Sequence, residues 1–269
     1  MDDFELLDAG AGGRLERFGE HVVERPAPGA WLGRRVPQRW AEADLRFDRE
    51  IGWTGPGLQG ARTSWTVELE SLSFELRPTD SGQVGLFPEH ASMAAWLRDR
   101  IAAREQPTVL HLFASTGLLT LAMARAGASV AHVDAARSAV AWARRNAARS
   151  GLDDRPIRWL IDDAATFTAR EVRRGRAYDG VVLDPPTYGH GSSGKAWQLE
   201  RDLPALLDDV RALVGRDGFV LLTAHAESMG PEGLGAYLGA RVETGELSLA
   251  ATSGARLDLG AFARVSGGA

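Results

Sequence analysis

Three apolar runs in the second half of the chain end in acidic residues. Residues 130–134 end in Asp134, residues 157–161 run into Asp162-Asp163, and Val181-Val182-Leu183 runs into Asp184-Pro185-Pro186. A fourth run, 109–114, leads into the turn Phe113-Ala114-Ser115-Thr116-Gly117, which enters a helix whose first amides are unpaired donors. In open α/β sheets ligands sit beyond the carboxyl ends of the strands. An acid after the second strand is placed to accept from ribose hydroxyls. One after the third can accept from an adenine amino group. Together these suit an adenosyl ligand. The three-glycine pyrophosphate fingerprint is missing, with only Gly117 in the first turn, so a dinucleotide has little support. Asp184-Pro185-Pro186 ends its strand abruptly, because neither proline has an N–H for the ladder.

The elements that must position these residues follow from periodicity. From Glu89 on, apolar residues first recur at helical spacing, through Ala94, Trp96, Leu97 and Ile101, with the helix closed by Pro107. Strands at 109–114, 130–134, 157–161, 181–184 and 219–223 then alternate with helices at 117–126, 138–149, 166–174 and 197–214. Pro204 is expected in the first turn of the last of these and Gly218 in the turn before the fifth strand. Such alternation predicts a parallel sheet wrapped by helices on both faces. Two final strands, 243–250 and 257–265, are joined by a turn too short for anything but antiparallel pairing. The expected fold is therefore α/β, Rossmann-like, mostly parallel, with an antiparallel C-terminal pair.

Residues 1–88 read differently, as a small β-rich N-terminal domain ahead of an 89–269 domain. Glu5–Asp8 and Arg14–Phe18 flank the Gly10–Gly13 turn as a hairpin, with a third strand at His21–Glu24. Trp65, Val67 and Leu69, then Leu72, Phe74 and Leu76, alternate as a second hairpin. Trp31 to Trp40 with Arg34, Arg35 and Arg39 has the residue types that bind single-stranded nucleic acid by charge and stacking, as well as those of a packed aromatic cluster.

Composition narrows the chemistry. The chain has 269 residues, a net charge of −5 and no cysteine, which excludes disulfides, thiolate metal sites and cysteine nucleophiles. No histidine pair has metal-ligand spacing, and no metal site is expected. No apolar run reaches the roughly 20 residues of a membrane span, and the acidic N-terminus is unlike a signal peptide. The expected location is cytoplasmic.

The segments Val109–Gly117, His132-Val133-Asp134-Ala135, Asp163-Ala164 and Leu183-Asp184-Pro185-Pro186 resemble the motif series of class I S-adenosylmethionine-dependent methyltransferases. More closely, with Gly85-Leu86-Phe87-Pro88-Glu89 and the glycine-rich segment before Trp197-Gln198-Leu199, they resemble the bacterial branch that methylates 23S ribosomal RNA of the large subunit. The resemblance implies S-adenosyl-L-methionine as cofactor. It implies that Phe113, Ala114, Ser115, Thr116 and Gly117 hold its methionine part, that Asp134 binds the ribose with Ala135 beside the adenine, and that Asp163, with Ala164, takes the adenine amino group. Asp184, Pro185 and Pro186 would line the gap between methyl donor and target. The chain departs from its relatives at His111 and Ser115, where they tend to have asparagine and tyrosine.

Methyl transfer from a sulfonium is an in-line displacement, so a protein chiefly supplies alignment and desolvation. Asp184 and the Pro185 carbonyl can accept from a target amino group, and Tyr188 can stack on a planar base. His90, His190 and His225 are candidate bases. The loop Gly189–Lys195 carries the only lysine and has a lid's composition. Carbon methylation of pyrimidines in the related enzymes uses a thiolate, and the lack of cysteine favours a nitrogen or oxygen target. The leading expectation is nitrogen methylation of an RNA base. The alternatives are a small-molecule or protein methyltransferase, a non-catalytic cofactor-binding module and a nicotinamide-dependent oxidoreductase.

Overall fold

The computed structural model describes residues 2–58, 63–190, 196–226, 229–239 and 241–267. Contacts divide the chain into two units, one of residues 1–91 with 248–259, the other of residues 92–247 with 260–269.

In the N-terminal unit, β1 (Phe4–Gly10), β2 (Gly13–Phe18), β3 (His21–Pro26), β4 (Leu45–Asp48) and β5 (Gly52–Thr54) form a sheet in that order. β6 (Trp65–Leu69) and β7 (Leu72–Leu76) pair separately as the second expected hairpin. Two of its buried charges, Arg25 and Asp8, organise the unit. Arg25 is held by Glu16 through Nε at 2.8 Å and Nη2 at 2.7 Å, and by Gln83 at 2.8 Å. Burial, together with the nearby Arg14, lowers its guanidinium pKa to about 10. Asp8 accepts from the backbone N–H groups of Arg35 and Val36, from the Trp40 indole and from the Ser253 hydroxyl. Burial pushes its carboxyl up, but these bonds outweigh it and hold the pKa below the ordinary value. The loop so anchored leaves Trp31 80% and Leu32 56% exposed, and stacks the Arg34 guanidinium 3.6 Å from the Trp40 ring centre.

The second unit opens with α1 (Ala91–Ala102), which ends well before Pro107. β8 (Thr108–Leu112), α2 (Leu118–Arg125), β9 (Ser129–Asp134), α3 (Arg137–Arg149), β10 (Ile157–Ile161), α4 (Ala164–Arg173) and β11 (Tyr178–Leu183) follow. Then come a short antiparallel pair, β12 (Tyr188–His190) and β13 (Ala196–Gln198), α5 (Leu199–Leu213), β14 (Val214–Ala224), α6 (Pro231–Leu238), β15 (Glu243–Ala250) and β16 (Arg256–Ser266). The sheet runs β10-β9-β8-β11-β14-β16-β15. Its first five strands are parallel and β16 is antiparallel to β14.

Strands covered on both faces read as nearly continuous apolar runs. Leu110, Val181 and Leu183 pack with Phe167, Leu203, Leu206 and Val210 of α4 and α5. The intervening Val109, Val182 and Leu221 pack with Met93, Leu97, Leu119 and Met123 of α1 and α2. The chain steps outward from β8 to β10, then crosses back to place β11 on the other side of β8. That reversal opens a crevice between β8 and β11 at their carboxyl ends.

Three local expectations are corrected. Residues 196–198 form a strand, so the helix starts at Leu199; even from this later start Pro204 lies in its interior, beyond the first turn. Gly218 is within β14, whose register against β11 shifts between Tyr178 and Gly180. There a side chain at Gly218 would meet the Asp179 carbonyl oxygen at 2.9 Å. The helix α6, with Pro231 in its first turn, was not anticipated.

Candidate active site at the β8–β11 switch point

The strand ends are joined past the regular ladder. The Ala114 N–H donates to the Val133 carbonyl at 3.2 Å, Asp162 N–H to the Asp134 carbonyl at 3.1 Å, and Asp184 N–H to the Leu112 carbonyl at 3.4 Å. Phe113 to Gly117, Asp134 and Asp184 are thereby brought to one edge, with Asp162 and Asp163 following beside Asp134.

The turn after β8 is tight. Phe113, Ser115 and Gly117 all have left-handed φ, at 53°, 49° and 95°. For the bulky Phe113 this costs about 1–3 kcal/mol, which contacts with its surroundings must offset. Gly117 caps α2, and a side chain there would meet the Ala143 Cβ of α3 at 3.1 Å, so the turn lies close under α3. The Thr116 carbonyl is held by the Asn146 amide at 3.0 Å. Ala114 and Thr116 are buried, and Phe113 and Ser115 half-buried.

Asp134 accepts from Ser115 N–H on Oδ2 and from Ala136 N–H on Oδ1, each at 2.8 Å. A carboxylate has about four lone-pair sites, so two remain for a diol. Burial raises the Asp134 pKa, and the two backbone donors only partly offset it. Ala135, beside it, is exposed. Asp162 is committed to Arg170 at 2.6 Å. Asp163 caps α4 by accepting from Thr166 N–H at 2.9 Å, and lines a cleft of about 480 Å³ between α4 and α5 with Trp197, Asp202, Leu206 and Asp209. The Ala164 methyl is packed into the core, leaving only its backbone for a ligand.

Asp184 Oδ1 accepts the Thr223 hydroxyl at 2.6 Å, and His225 Nε2 lies 3.4 Å from the same oxygen. Pro185 is buried and Pro186 exposed. Tyr188 is 73% exposed at the start of β12. Lys195 and the rest of 191–195 lie outside the described residues, as do the side-chain surroundings of His190. His90 belongs to the N-terminal unit.

Several contributors were not expected from sequence. Thr223 is one. Trp197 is another: its indole N–H donates to the Pro186 carbonyl at 2.7 Å, and its ring centre lies 5.2 Å from that of Phe113. Beneath the turn, Thr120 of α2 bridges His111 and His132, its hydroxyl 2.7 Å from one Nδ1 and 2.8 Å from the other. Burial, then the neighbouring His111, holds the His132 pKa well below the ordinary imidazole value, which keeps the His132 ring neutral. His111, a departure from the resembled motif, thus has a structural partner.

The donor set fits an S-adenosylmethionine cofactor. The start of α2, where helix amides and the macrodipole favour acceptor groups, follows a turn with three left-handed residues, a buried carboxylate has two lone-pair sites for a ribose, and a second acid lines an adjacent cleft.

A family model for S-adenosylmethionine-dependent methyltransferases matches residues 14–242, and the chain belongs to that family. A methyltransferase of this class from Agrobacterium tumefaciens superposes with a TM-score of 0.91 at 36% identity, over 98% of this chain and 90% of that one. A methyltransferase from Streptococcus mutans shares the fold, with a TM-score of 0.76 at 16% identity over 98% and 75% of the two chains. Among curated relatives, the ribosomal RNA large subunit methyltransferase K/L of Magnetococcus marinus is 29% identical over 162 residues, 59% of this chain and 22% of that protein. The 23S rRNA (uracil(1939)-C(5))-methyltransferase RlmD of Dechloromonas aromatica is 27% identical over 186 residues, 64% of this chain and 41% of that protein. The chain thus spans well under half the length of these two relatives. The cofactor of the family is S-adenosylmethionine. No helix among the described residues is long and apolar enough to cross a membrane.

Proposed function

We propose that the protein transfers a methyl group to a nitrogen of an RNA base. The observation that carries this reading is the Asp184-Pro185-Pro186 edge, set across the switch point from the Phe113–Gly117 turn. Bound S-adenosylmethionine supplies the methyl and its sulfonium leaving group. Asp134 binds the ribose diol and Asp163 the adenine amino group, while the 113–117 turn and the first amides of α2 receive the methionine part. Ala135 and the Ala164 backbone border the adenine. Asp184, fixed by Thr223, and the Pro185 carbonyl accept from the target amino group and aim its lone pair at the methyl. Tyr188 offers a stacking face to the base.

RNA as substrate is supported by the names of the curated relatives. RlmD is named for a carbon target, and this chain has no cysteine for the thiolate route, which favours nitrogen. The N-terminal domain, expected over 1–88, is the substrate-binding part in this reading. Its Trp31 and Arg35, exposed on the Asp8-anchored loop, serve stacking and phosphate contact. The proposed location is cytoplasmic. The net charge of −5 favours the second reading, a small-molecule or protein acceptor.

The test is transfer of labelled methyl from S-adenosylmethionine into total RNA from cells lacking the protein, beside protein and metabolite extracts. Label in RNA, at a base nitrogen after nucleoside digestion, is expected. Label confined to the other extracts would remove the RNA reading.

A further inference from the structure

Trp197 touches both sides of the switch point. Its ring packs on Phe113 with centres 5.2 Å apart and planes inclined at 56°. Its indole N–H donates to the Pro186 carbonyl at 2.7 Å. Its side chain also lines the cleft that holds Asp163. The backbone around it is held firmly. Gly189 pairs with Trp197 in the β12–β13 ladder, Leu199 N–H donates to the Thr187 carbonyl at 3.0 Å, and Gln198 N–H donates to Asp202 at 2.8 Å.

Each contact answers a local need. Phe113 is a bulky residue at φ 53°, a conformation that persists only when its surroundings hold it. The Trp197 ring packs against its side chain. Pro186 follows another proline, and the peptide between them donates nothing, so the segment has few ways to be fixed. The indole fixes it through the Pro186 carbonyl.

We propose that Trp197 is a positioning residue that ties the cofactor-binding turn to the acceptor edge. It braces Phe113 through its ring and sets the Asp184-Pro185-Pro186 segment through its N–H. The proposal rests on the methyl-transfer reading for its catalytic consequence, whereas the brace itself is a property of the unliganded chain. The two halves separate by substitution. Trp197→Phe keeps a ring against Phe113 and removes the donor. Trp197→Leu removes both.

The experiment uses the full chain and three readouts: amide hydrogen exchange without ligand, calorimetry with S-adenosylhomocysteine, and kcat and KM for labelled methyl transfer into total RNA from cells lacking the protein. Thermal melts establish that each variant is folded. For Trp197→Leu, exchange at the Ala114 and Gly117 amides is expected to quicken at least tenfold, with S-adenosylhomocysteine bound at least tenfold more weakly. For Trp197→Phe, exchange in the turn and affinity stay within threefold of the parent, while kcat falls at least tenfold. Unchanged exchange in Trp197→Leu, or faster turn exchange in Trp197→Phe, overturns the brace. Full kcat in Trp197→Phe overturns the role of the N–H. If the parent chain binds no S-adenosylhomocysteine, the methyl-transfer reading fails instead, and the exchange data still decide the brace. Should Trp197→Leu not fold, the Trp197→Phe split between turn exchange and kcat decides.

Discussion

Asp134→Asn changes one atom and tests the cofactor site from two directions. In the parent protein both carboxylate oxygens accept backbone N–H groups at 2.8 Å, and the remaining two lone-pair sites face the proposed ribose. An asparagine keeps one acceptor oxygen and turns an NH₂ towards the other N–H and the diol. A hydrogen bond to a charged group contributes about 1.5–3 kcal/mol. Losing one or two of these weakens S-adenosylhomocysteine binding by about 2–4 kcal/mol, or roughly 30- to 700-fold. The unliganded melting temperature moves less, since a stranded N–H destabilises while removal of a buried charge stabilises. The pH dependence carries a sign. Burial raises the folded pKa of Asp134 above 3.8, so lowering the pH through that folded value protonates the group. Affinity then falls, because an acceptor is lost. Over the same window the group's contribution to folding stability rises, because the folded state binds the proton more tightly than the unfolded chain. Calorimetry taken stepwise downward from about pH 7 towards about 4, and melts at the same pH values, measure both trends, and Asp134→Asn should abolish both. Affinity within threefold of the parent would refute the ribose assignment.

Other outcomes follow from single contacts. Thr223→Val keeps the shape but removes the 2.6 Å bond to Asp184, so kcat should drop about tenfold, by some 1.4 kcal/mol, at unchanged cofactor affinity; full kcat argues against the orientation of Asp184. Thr120→Val strands two buried imidazole nitrogens and should destabilise by about 1–3 kcal/mol in urea titration, with Thr120→Ser largely restoring stability. The lowered His132 pKa has the opposite sign to Asp134. Unfolded His132 protonates near 6.5 while the folded one stays neutral, so its contribution is full above that pH and shrinks below it, and His132→Phe should flatten the stability profile between pH 7 and 5. Glu16→Leu leaves Arg25 charged and buried without its bidentate partner and should cost about 3–5 kcal/mol, read as a lower denaturation midpoint; an unchanged midpoint would mean that Gln83 alone satisfies the guanidinium.

Much of the fold was legible because strand and helix periods differ. The alternation of Val109 to Leu112 and of Val181 to Leu183 between two buried faces is written in side-chain type alone, and 157–161 is recovered as β10 residue for residue. The abrupt end of β11 is equally local, since proline has no N–H to donate. Such features depend on a residue and its immediate neighbours.

The remaining features depend on which distant segments meet. Strand order, and with it the crevice between β8 and β11, arises only when β11 crosses to the far side of β8. Thr223 follows Asp184 by 39 positions and bonds it only because β14 lies beside β11. The pairing of Thr120 with His111 and His132 needs α2 folded onto two strands. Pairing with β12 draws 196–198 into a strand and moves the helix start from Trp197 to Leu199, and from either start Pro204 lies beyond the first turn, in the helix interior. By itself the sequence determined the element types and the acids at their ends. Tertiary structure decided which of those acids share an edge, and which neutral side chains hold them there, because hydrogen bonds and ring contacts form between segments whose separation along the chain carries no local signal.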